Sequence, residues 1–410
     1  MIDSISLDAL CGRVRSGRIP VVAHSADAVA GCVYAVLPPA LPAGKTAGAP
    51  GGERFLPEVL RVGPAAVLCA PEHLPLLESL SRSVPRSPGQ NAGTSLSVAA
   101  VDDPRAALGR LACALYDTDR NCPEVIGITG TNGKTTTSWL LESLLRAHGC
   151  EVGVIGTISR RWPGYEEESS LTTPDCLTLH SMLARMRAAG AQYALMEVSS
   201  HALDQKRVAG VPFTAALLTN LTQDHLDYHA DMEEYFRAKE KLFLPPERGG
   251  TPSADKRKAA NADDPYGRRL LESFPDALGF GLSENATGRP EGNLLRGRVL
   301  SMSREGLLLS MRYEGREWQL HSPLVGDFNA LNLLGTQATG LILGMTAKDF
   351  SALSTFTGVP GRLERVPNGR GLHLFVDYAH TPDALTKVLS ALRAAGFARV
   401  VTVFGCGGNR

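Results

Sequence analysis

The stretch Val125-Ile126-Gly127-Ile128-Thr129-Gly130-Thr131-Asn132-Gly133-Lys134-Thr135-Thr136 constrains this chain more than any other. Val125 to Ile128 are β-branched apart from one glycine, as suits a strand buried on both faces. Gly130 and Gly133 then allow a tight turn that aims backbone N–H groups inward. With the N-terminus of a following helix, those groups make an anion site. Lys134 adds a mobile positive charge that can follow a phosphate, and Thr135 offers a hydroxyl to Mg²⁺. Leu140, Leu141, Leu144 and Leu145 share one helical face, and Gly149 can end the helix. The strict phosphate-loop pattern has a glycine where Ile128 stands, so G-T-N-G-K-T-T is a shortened variant.

The rest of the chain alternates strand and helix patterns around this turn. Strands are expected at Ile19 to Ala23, Ala65 to Cys69, Tyr193 to Val198 and Ala215 to Thr219, and helices at Phe55 to Val62, Pro104 to Tyr116, His180 to Ala189 and Asn329 to Leu343. Such alternation from 151 to about 355 predicts a doubly wound α/β sheet. Arg298 to Met311, with Gln319 to His321, adds short antiparallel strands. Leu41 to Gly52, Ser83 to Ser95 and Pro246 to Lys258 read as loops. Near Gly361 a third unit begins: strand Leu372 to Val376, helix Pro382 to Ala395, strand Arg399 to Phe404, then a glycine turn. A strand and turn with no following helix cannot close a sheet, so the chain is expected to be a piece of a longer protein. At 410 residues it has room for two to four domains. Lysine plus arginine equals aspartate plus glutamate at 42 each, so no overall basic field points to nucleic acid. No run approaches the roughly 18 apolar residues of a membrane span. Eight scattered cysteines, with no C-x-x-C pair, fit reduced thiols of a cytoplasmic protein.

Several polar clusters end strands. Glu197 closes Tyr193 to Val198 and reads either as a surface carboxylate or as a Mg²⁺ ligand beside nucleotide phosphates. Asp224, His225, Asp227 and His229 follow the next strand. H-x-x-x-H alone is a weak zinc pattern, and contacts to Mg²⁺, water and phosphate are the preferred reading. Asp231 and Glu234 form a capping box for a helix from Met232 to Phe243. Lys239 lies on or near that helix's apolar face; by its chemistry alone it reads first as a surface lysine or one whose stem snorkels. As a carbamate it would become an anion able to face a metal. Thr172 and Thr173 offer hydroxyls to an oxyanion or sugar. Asn329 and Asn332 could read a planar base or simply cap their helix, and Asp377 ends a strand where a ribose or phosphate could bind.

Taken in order, the stretches G-T-N-G-K-T-T, L-T-T-P-D, M-E-V-S-S-H-A-L, T-N-L-T-Q-D-H-L-D-Y-H, the Ala238-Lys239 pair, N-A-D-D-P, G-D-F-N-A-L-N, G-R-L-E-R-V, V-D-Y-A-H-T-P-D-A-L and F-G-C-G-G-N-R resemble the Mur ligase family, most closely its MurE type, over about residues 15 to 410. The resemblance implies a three-domain α/β architecture. Residues 1–119 would bind a UDP-sugar, 120–357 would form a central phosphate-loop ATPase-type parallel sheet, and 358–410 would begin a Rossmann-like domain for the incoming amino acid. It implies an ATP- and Mg²⁺-dependent ligase that adds diaminopimelate, lysine or ornithine to UDP-N-acetylmuramoyl-L-alanyl-D-glutamate through an acyl phosphate, acting as a monomer. Gly130, Thr131, Asn132, Gly133, Lys134, Thr135 and Thr136 match the ATP loop, and Asn329, Arg362 and Asp377 match further ATP contacts. Thr172, Thr173, Ser199, Gln205 and Arg207 match contacts to the muramoyl-dipeptide, and Arg410 matches an arginine near the amino acid. Thr135, Glu197 and His225 match metal contacts, and Lys239 matches a carbamylated lysine. Ser25 matches a serine of the family's D-S-R-x-V-x-P-G stretch. That stretch reads His24-Ser25-Ala26-Asp27-Ala28-Val29-Ala30-Gly31 here, so only the serine and the glycine stand where the pattern puts them. Two other readings share parts of this pattern: a folylpolyglutamate synthase, and a non-catalytic binder of ATP or the UDP-sugar.

Overall fold

The structure, a computed structural model, describes residues 2–40, 51–83, 95–252, 255–282, 293–380 and 382–405. The loop expected at Leu41 to Gly52 and that at Ser83 to Ser95 fall mostly outside these residues, and Arg410 falls wholly outside them.

The first sheet comprises β1 (Ile2–Ser4), β2 (Val21–Val22), β3 (Val33–Ala35), β4 (Ala66–Cys69) and β5 (Leu96–Ala100), all parallel in the order β1-β5-β4-β3-β2. Helices α1 (Leu7–Gly17) and α4 (Pro104–Tyr116) cover one face, burying Leu10, Val14, Leu108 and Leu111. Helices α2 (Leu56–Val62) and α3 (Leu74–Ser83) cover the other with Leu56, Val59 and Leu77. β2, β3, β4 and β5 are short, hold the sheet's buried positions and are rich in valine or alanine, as two-sided burial favours. Asp103 caps α4 by accepting the Ala106 N–H at 3.0 Å, with Pro104 at the first helical position.

The second sheet is built around β6 (Glu124–Thr129). It also contains β7 (Val152–Ile155), β8 (Ser159–Trp162), β9 (Tyr165–Glu168), β10 (Tyr193–Glu197), β11 (Phe213–Leu218), β12 (Arg257–Asn261), β13 (Leu278–Gly281), β14 (Leu294–Ser303), β15 (Gly306–Tyr313) and β16 (Arg316–Ser322). Seven neighbours run parallel in the order β14-β13-β12-β11-β6-β10-β7, and antiparallel β16-β15 and β8-β9 extend the two edges. Ile126 and Ile128 face α5 (Lys134–Ala147) and α10 (Asp327–Ile342) in one core. Val125 faces the opposite core, with Leu179 of α6 (Cys176–Ala188), Tyr235 of α8 (Met232–Glu240) and Leu270 of α9 (Pro265–Ser273). The short α7 (Ser200–Asp204) follows β10. The chain leaves β6, crosses to β7, then returns to fill the gap with β10. The strand order therefore reverses beside β6, and ligands in open α/β sheets bind at that crevice.

The two sheets meet where α4 packs on α6 and the Val208–Gly210 turn. A Cβ on Gly109 would lie 2.6 Å from Ala209, so this approach requires glycine. Cys113 donates to the Gly210 carbonyl at 3.2 Å. His180 is fully buried between Thr118 of the connecting segment and the Ala209 carbonyl, at 2.6 and 2.9 Å.

The third unit pairs β17 (Glu364–Val366) with β18 (Leu374–Val376) antiparallel and adds α11 (Pro382–Ala394). Three expectations need correction. The stretch Arg399 to Phe404 forms no strand among the described residues, since it has no neighbour to bond. The loop from Pro246 stops at Lys256, and Arg257 and Lys258 already belong to β12. The first expected strand shrinks to Val21–Val22.

Candidate functional site

The turn after β6 is stiffened from outside. Gly130 has φ +144° and Gly133 φ +86°. A Cβ on Gly130 would meet Thr219 Oγ1 at 2.0 Å, and one on Gly133 would meet Asn332 Oδ1 at 2.3 Å. The segment after β11 grips the turn's backbone. Asn220 accepts the Asn132 N–H and donates to the Asn132 carbonyl, both at 3.0 Å, and Thr219 donates to the same carbonyl at 2.6 Å. Thr131 exchanges hydrogen bonds with the Thr222 backbone. The opening of T-N-L-T-Q-D-H-L-D-Y-H is thus a splint for the loop. Asn132 is exposed, and Thr135 and Thr136 are buried at the start of α5.

Two ammonium groups meet at one carbonyl. Lys134 Nζ donates to the Gly130 and Thr131 carbonyls at 2.8 Å each, and Lys239 Nζ donates to the same Gly130 carbonyl at 3.0 Å. Lys239 is 2% exposed and lies over the Tyr235 ring at 4.7 Å. The surface-lysine reading is therefore overturned. Burial, and next the Lys134 charge, push the Lys239 ammonium well below its ordinary range. Burial also lowers Lys134, partly offset by Glu197. Two desolvated cations with a neutral acceptor form an arrangement completed by an anion. The capping box that starts α8 is real: Asp231 accepts the Glu234 N–H at 2.8 Å, and the Glu234 carboxylate accepts the Ala230 N–H at 2.6 Å.

Glu197 is 1% exposed, which removes its surface reading. Its carboxylate accepts from the Thr135 hydroxyl at 2.9 Å and from the Thr157 N–H and hydroxyl at 3.0 and 2.9 Å. Thr157, a residue sequence reasoning missed, also contacts the Thr172 hydroxyl at 3.1 Å. These hydroxyl and carboxylate oxygens are the hard donors Mg²⁺ takes, and Mg²⁺ usually completes its shell with water and phosphate oxygens. Among the described residues no group of three or more His, Cys, Asp or Glu side chains is placed to hold a metal alone.

His225 stands nearby with φ +53°, a backbone state that concentrates at functional sites. Burial lowers its pKa, the Asp224 charge opposes that, and the Lys239 and Lys134 charges add to it. His201, not singled out from sequence, lies edge-on to His225 with ring centroids 4.9 Å apart. Burial, then the neighbouring His225 and His229, push it down to about 4. On the far side of the loop, Asn329 is held by the Val325 carbonyl at 2.8 Å and in turn accepts from Asn332 at 3.1 Å. The pair buttresses Gly133. Arg362 stacks over Tyr378 at 5.0 Å and its charge reaches Lys134. The Asp377 carboxylate accepts the Leu363 and Ala379 N–H groups at 2.6 and 2.7 Å and shapes the turn that carries Arg362.

A chain of polar contacts leads away from Glu197. Thr173 donates to the Glu197 carbonyl at 2.8 Å and accepts the Ser199 N–H at 3.1 Å, while Ser199 caps α7. Arg207 donates to the Thr173 carbonyl at 3.1 Å and to Gln205 Oε1 at 3.0 and 2.7 Å. Gln205 and Arg207 line a cleft of about 870 Å³ between the first two sheets, and Ser25 lines its opposite wall. The predicted residues therefore fall into two connected places, the loop around Lys134 and this cleft.

The sequence profile of the Mur ligase middle domain matches residues 128–340, and that of the Mur ligase glutamate ligase domain matches residues 361–410. A UDP-N-acetylmuramoyl-L-alanyl-D-glutamate–2,6-diaminopimelate ligase of Lawsonia intracellularis is 46% identical over 98% of this chain and 77% of its own length. The chain belongs to the Mur ligase family. A Gloeobacter violaceus protein of the same name is 44% identical over 77% of this chain, and the match spans 62% of that protein. A solved structure bearing that name superposes with TM-score 0.71 at 26% identity, covering 95% of this chain and 73% of that one. The Mur ligase chain thus spans 62 to 77% of the length of these relatives. Relatives this similar over 77 to 98% of the chain favour a ligase of the MurE type over a folylpolyglutamate synthase or an inert binder. No helix among the described residues is long and apolar enough to cross a membrane.

Proposed function

We propose that this chain is an ATP-dependent amide ligase that joins 2,6-diaminopimelate to the D-glutamyl carboxyl group of UDP-N-acetylmuramoyl-L-alanyl-D-glutamate, a step of cytoplasmic peptidoglycan synthesis. The observation that carries it is the Lys134 ammonium on the Gly130 carbonyl of the glycine turn, with buried Lys239 on the same carbonyl, beside the Thr135–Glu197 contact. This is a receptacle for a transferring phosphoryl group. Residues 1–119 would hold the nucleotide sugar, 120–357 ATP, and 358–410 would begin the part that presents the amine.

The glutamyl carboxylate attacks the γ-phosphorus of ATP, the bond to the β-phosphate oxygen breaks, and ADP leaves. Lys134 and the loop N–H groups of Gly130 to Thr136 stabilise charge on the phosphoryl oxygens. The amine then attacks the acyl carbon, loses a proton, and expels inorganic phosphate. Thr172, Thr173, Ser199, Gln205 and Arg207 orient the carboxylate toward the loop, and Ser25 contacts the nucleotide end. Arg362, Asn329 and Asp377 close on the ATP side, and Arg410 would meet the incoming amino acid. Mg²⁺ would be held by Thr135 and Glu197 with His225 and Lys239 beside them, and supplies charge neutralisation of the phosphates. A neutral Lys239 amine, favoured by its burial, can add to CO₂ and release a proton. The resulting carbamate would exchange a buried amine for an anion next to Lys134.

The test is phosphate release by the full chain. It is expected only with ATP, the UDP-muramoyl-dipeptide and diaminopimelate together. Phosphate release driven equally well by a folate and glutamate would overturn the reading.

A further inference from the structure

Arg105 sits on α4 and lines the cleft between the two sheets together with Ser25, Gln205 and Arg207. Its guanidinium donates to the Pro38 carbonyl at 2.7 Å and to the Gln205 carbonyl at 3.3 Å. One acceptor belongs to the first sheet's loop and the other to the second sheet's turn. These bonds use two of its five N–H donors. Arg207 likewise bonds only neutral oxygens, those of Thr173 and Gln205. The nearest acids are committed elsewhere. Asp103 caps α4 and pairs with Lys206, and Asp175 caps α6 by accepting the Thr178 N–H at 3.1 Å. Asp204 binds Lys241 and Tyr228 at 2.9 Å each.

Of the other cations lining the cleft, Arg54 stacks on Phe55, Arg185 on Trp162 and Tyr165, and Lys206 pairs with Asp103, whereas the Arg105 and Arg207 guanidinium groups hydrogen-bond only acceptors that carry no charge. Both are partly desolvated, and each pushes against its own charged state for that reason. Desolvated guanidinium groups with free donors match a phosphate oxygen pair better than any neutral sugar or base, because their planar forks bind two oxygens at once. The turn carrying Gln205 is itself committed to this wall. Lys206 adopts φ +54° with its ammonium on Asp103, and Gln205 Nε2 reaches the Ala40 carbonyl at 3.4 Å. Across the cleft, Ala26 follows Ser25 and offers no cation.

We propose that Arg105 binds the diphosphate bridge of the nucleotide-sugar substrate, with its free N–H donors, while its two carbonyl contacts hold the cleft walls in register. This rests on the ligase reading for the identity of the substrate and adds a residue to it. Arg105 joins Arg207 as one of five basic side chains, with Arg54, Arg185 and Lys206, that line the cleft. The polar chain from Gln205 through Arg207 and Thr173 to Glu197 then links the anchored end of the substrate to the reacting end.

The experiment compares binding of uridine, UMP and UDP to the full chain by calorimetry, in wild type and in the Arg105→Lys, Arg105→Gln and Arg105→Ala variants. In wild type, UDP is expected to bind at least tenfold tighter than uridine. In Arg105→Ala and Arg105→Gln that ratio should fall to within threefold of unity, with uridine affinity changed less than threefold, and Arg105→Lys should recover part of it. A role confined to holding the walls would weaken uridine and UDP alike, leaving the ratio intact and overturning the proposal. Should Arg105→Ala fail to fold, the Lys and Gln variants decide by the same ratio. Wild type that binds neither uridine nor UDP would instead refute the nucleotide-sugar reading, and the two failures are distinct.

Discussion

Replacing Glu197 with Gln separates what this side chain does for the fold from what it does for catalysis. The carboxylate receives three hydrogen bonds, from Thr135 and twice from Thr157. Bonds to a charged acceptor are worth roughly 1.5–3 kcal/mol and neutral ones about 1 kcal/mol, so the amide forfeits on the order of 3 kcal/mol. Its NH₂ group also cannot accept from Thr135. Against this, an amide avoids the several kcal/mol needed to desolvate a buried carboxylate. The two terms nearly offset, and folding stability should move by no more than about 2 kcal/mol in either direction. Nothing offsets the lost charge in the reaction. The carboxylate would act through the Mg²⁺ it would hold, and a pre-organised electrostatic group of that kind is typically worth about 10²–10³ in rate. Turnover measured by phosphate release should therefore fall roughly 100- to 1,000-fold, and the Mg²⁺ concentration needed for half-maximal rate should rise. Urea melts of both proteins test the first half. A Gln variant that retains a third of wild-type turnover, at unchanged Mg²⁺ dependence, would refute the metal-facing role.

Lys134→Ala should abolish ADP release, because the loop loses the charge that follows the phosphoryl group; near-wild-type turnover would refute the assignment of the loop. Lys239→Ala should be nearly inactive and partly rescued by short-chain carboxylates, read in the same phosphate assay, and indifference of activity to this change would count against the carbamate. His180 is pushed down to about 4 by burial, so the native state favours its neutral form. Its contribution is complete above the unfolded value near 6.5, declines as pH falls, and is gone below about 4, an amplitude of about 3 kcal/mol. Urea midpoints between pH 7.5 and 4.5 should thus fall more steeply in wild type than in His180→Gln, and equal slopes would remove His180 as the cause.

What the sequence made legible is what the chain specifies locally. The strand, glycine turn and helix around Lys134 depend on periodicity and φ requirements that any reader of residues 125–149 can apply, and the structure has them at Glu124–Thr129 and Lys134–Ala147. The capping box at Asp231 fixed the start of α8 for the same reason. Lys239 escaped local reasoning because its partner is the Gly130 carbonyl, 109 positions earlier in the chain, and only the pairing of β6 with β11 brings α8 over the loop. The start of β12 was hidden by the basic run Lys256-Arg257-Lys258 that leads into it. Lys256 is buried with its ammonium on the Leu242, Leu244 and Thr251 carbonyls, so a run that reads as polar loop packs as core. The reverse error occurred at Arg399 to Phe404, where V-V-T-V-F has the β-branched composition of a strand. Composition is only half of a strand; its backbone also needs a neighbour to bond, and β17 and β18 pair with each other.

The same distinction explains which site residues needed more than spacing. Glu197 could be guessed because a strand end beside a phosphate loop is a general address. Thr157 and Arg105 carry no motif. Thr157 matters because β7 and β10 are neighbours, so the segment after β7 ends against the Glu197 carboxylate. Arg105 matters because Gly109, one turn further along α4, lets that helix approach Ala209 closely enough for a guanidinium to span from Pro38 to Gln205. An inter-sheet contact with no chemistry of its own thus sets the cleft's electrostatics. Bulk at position 109 should therefore disturb nucleotide-end binding through Arg105 before it touches the loop at Lys134, whose supports, Thr219, Asn220 and Asn332, lie in the segment after β11 and in α10.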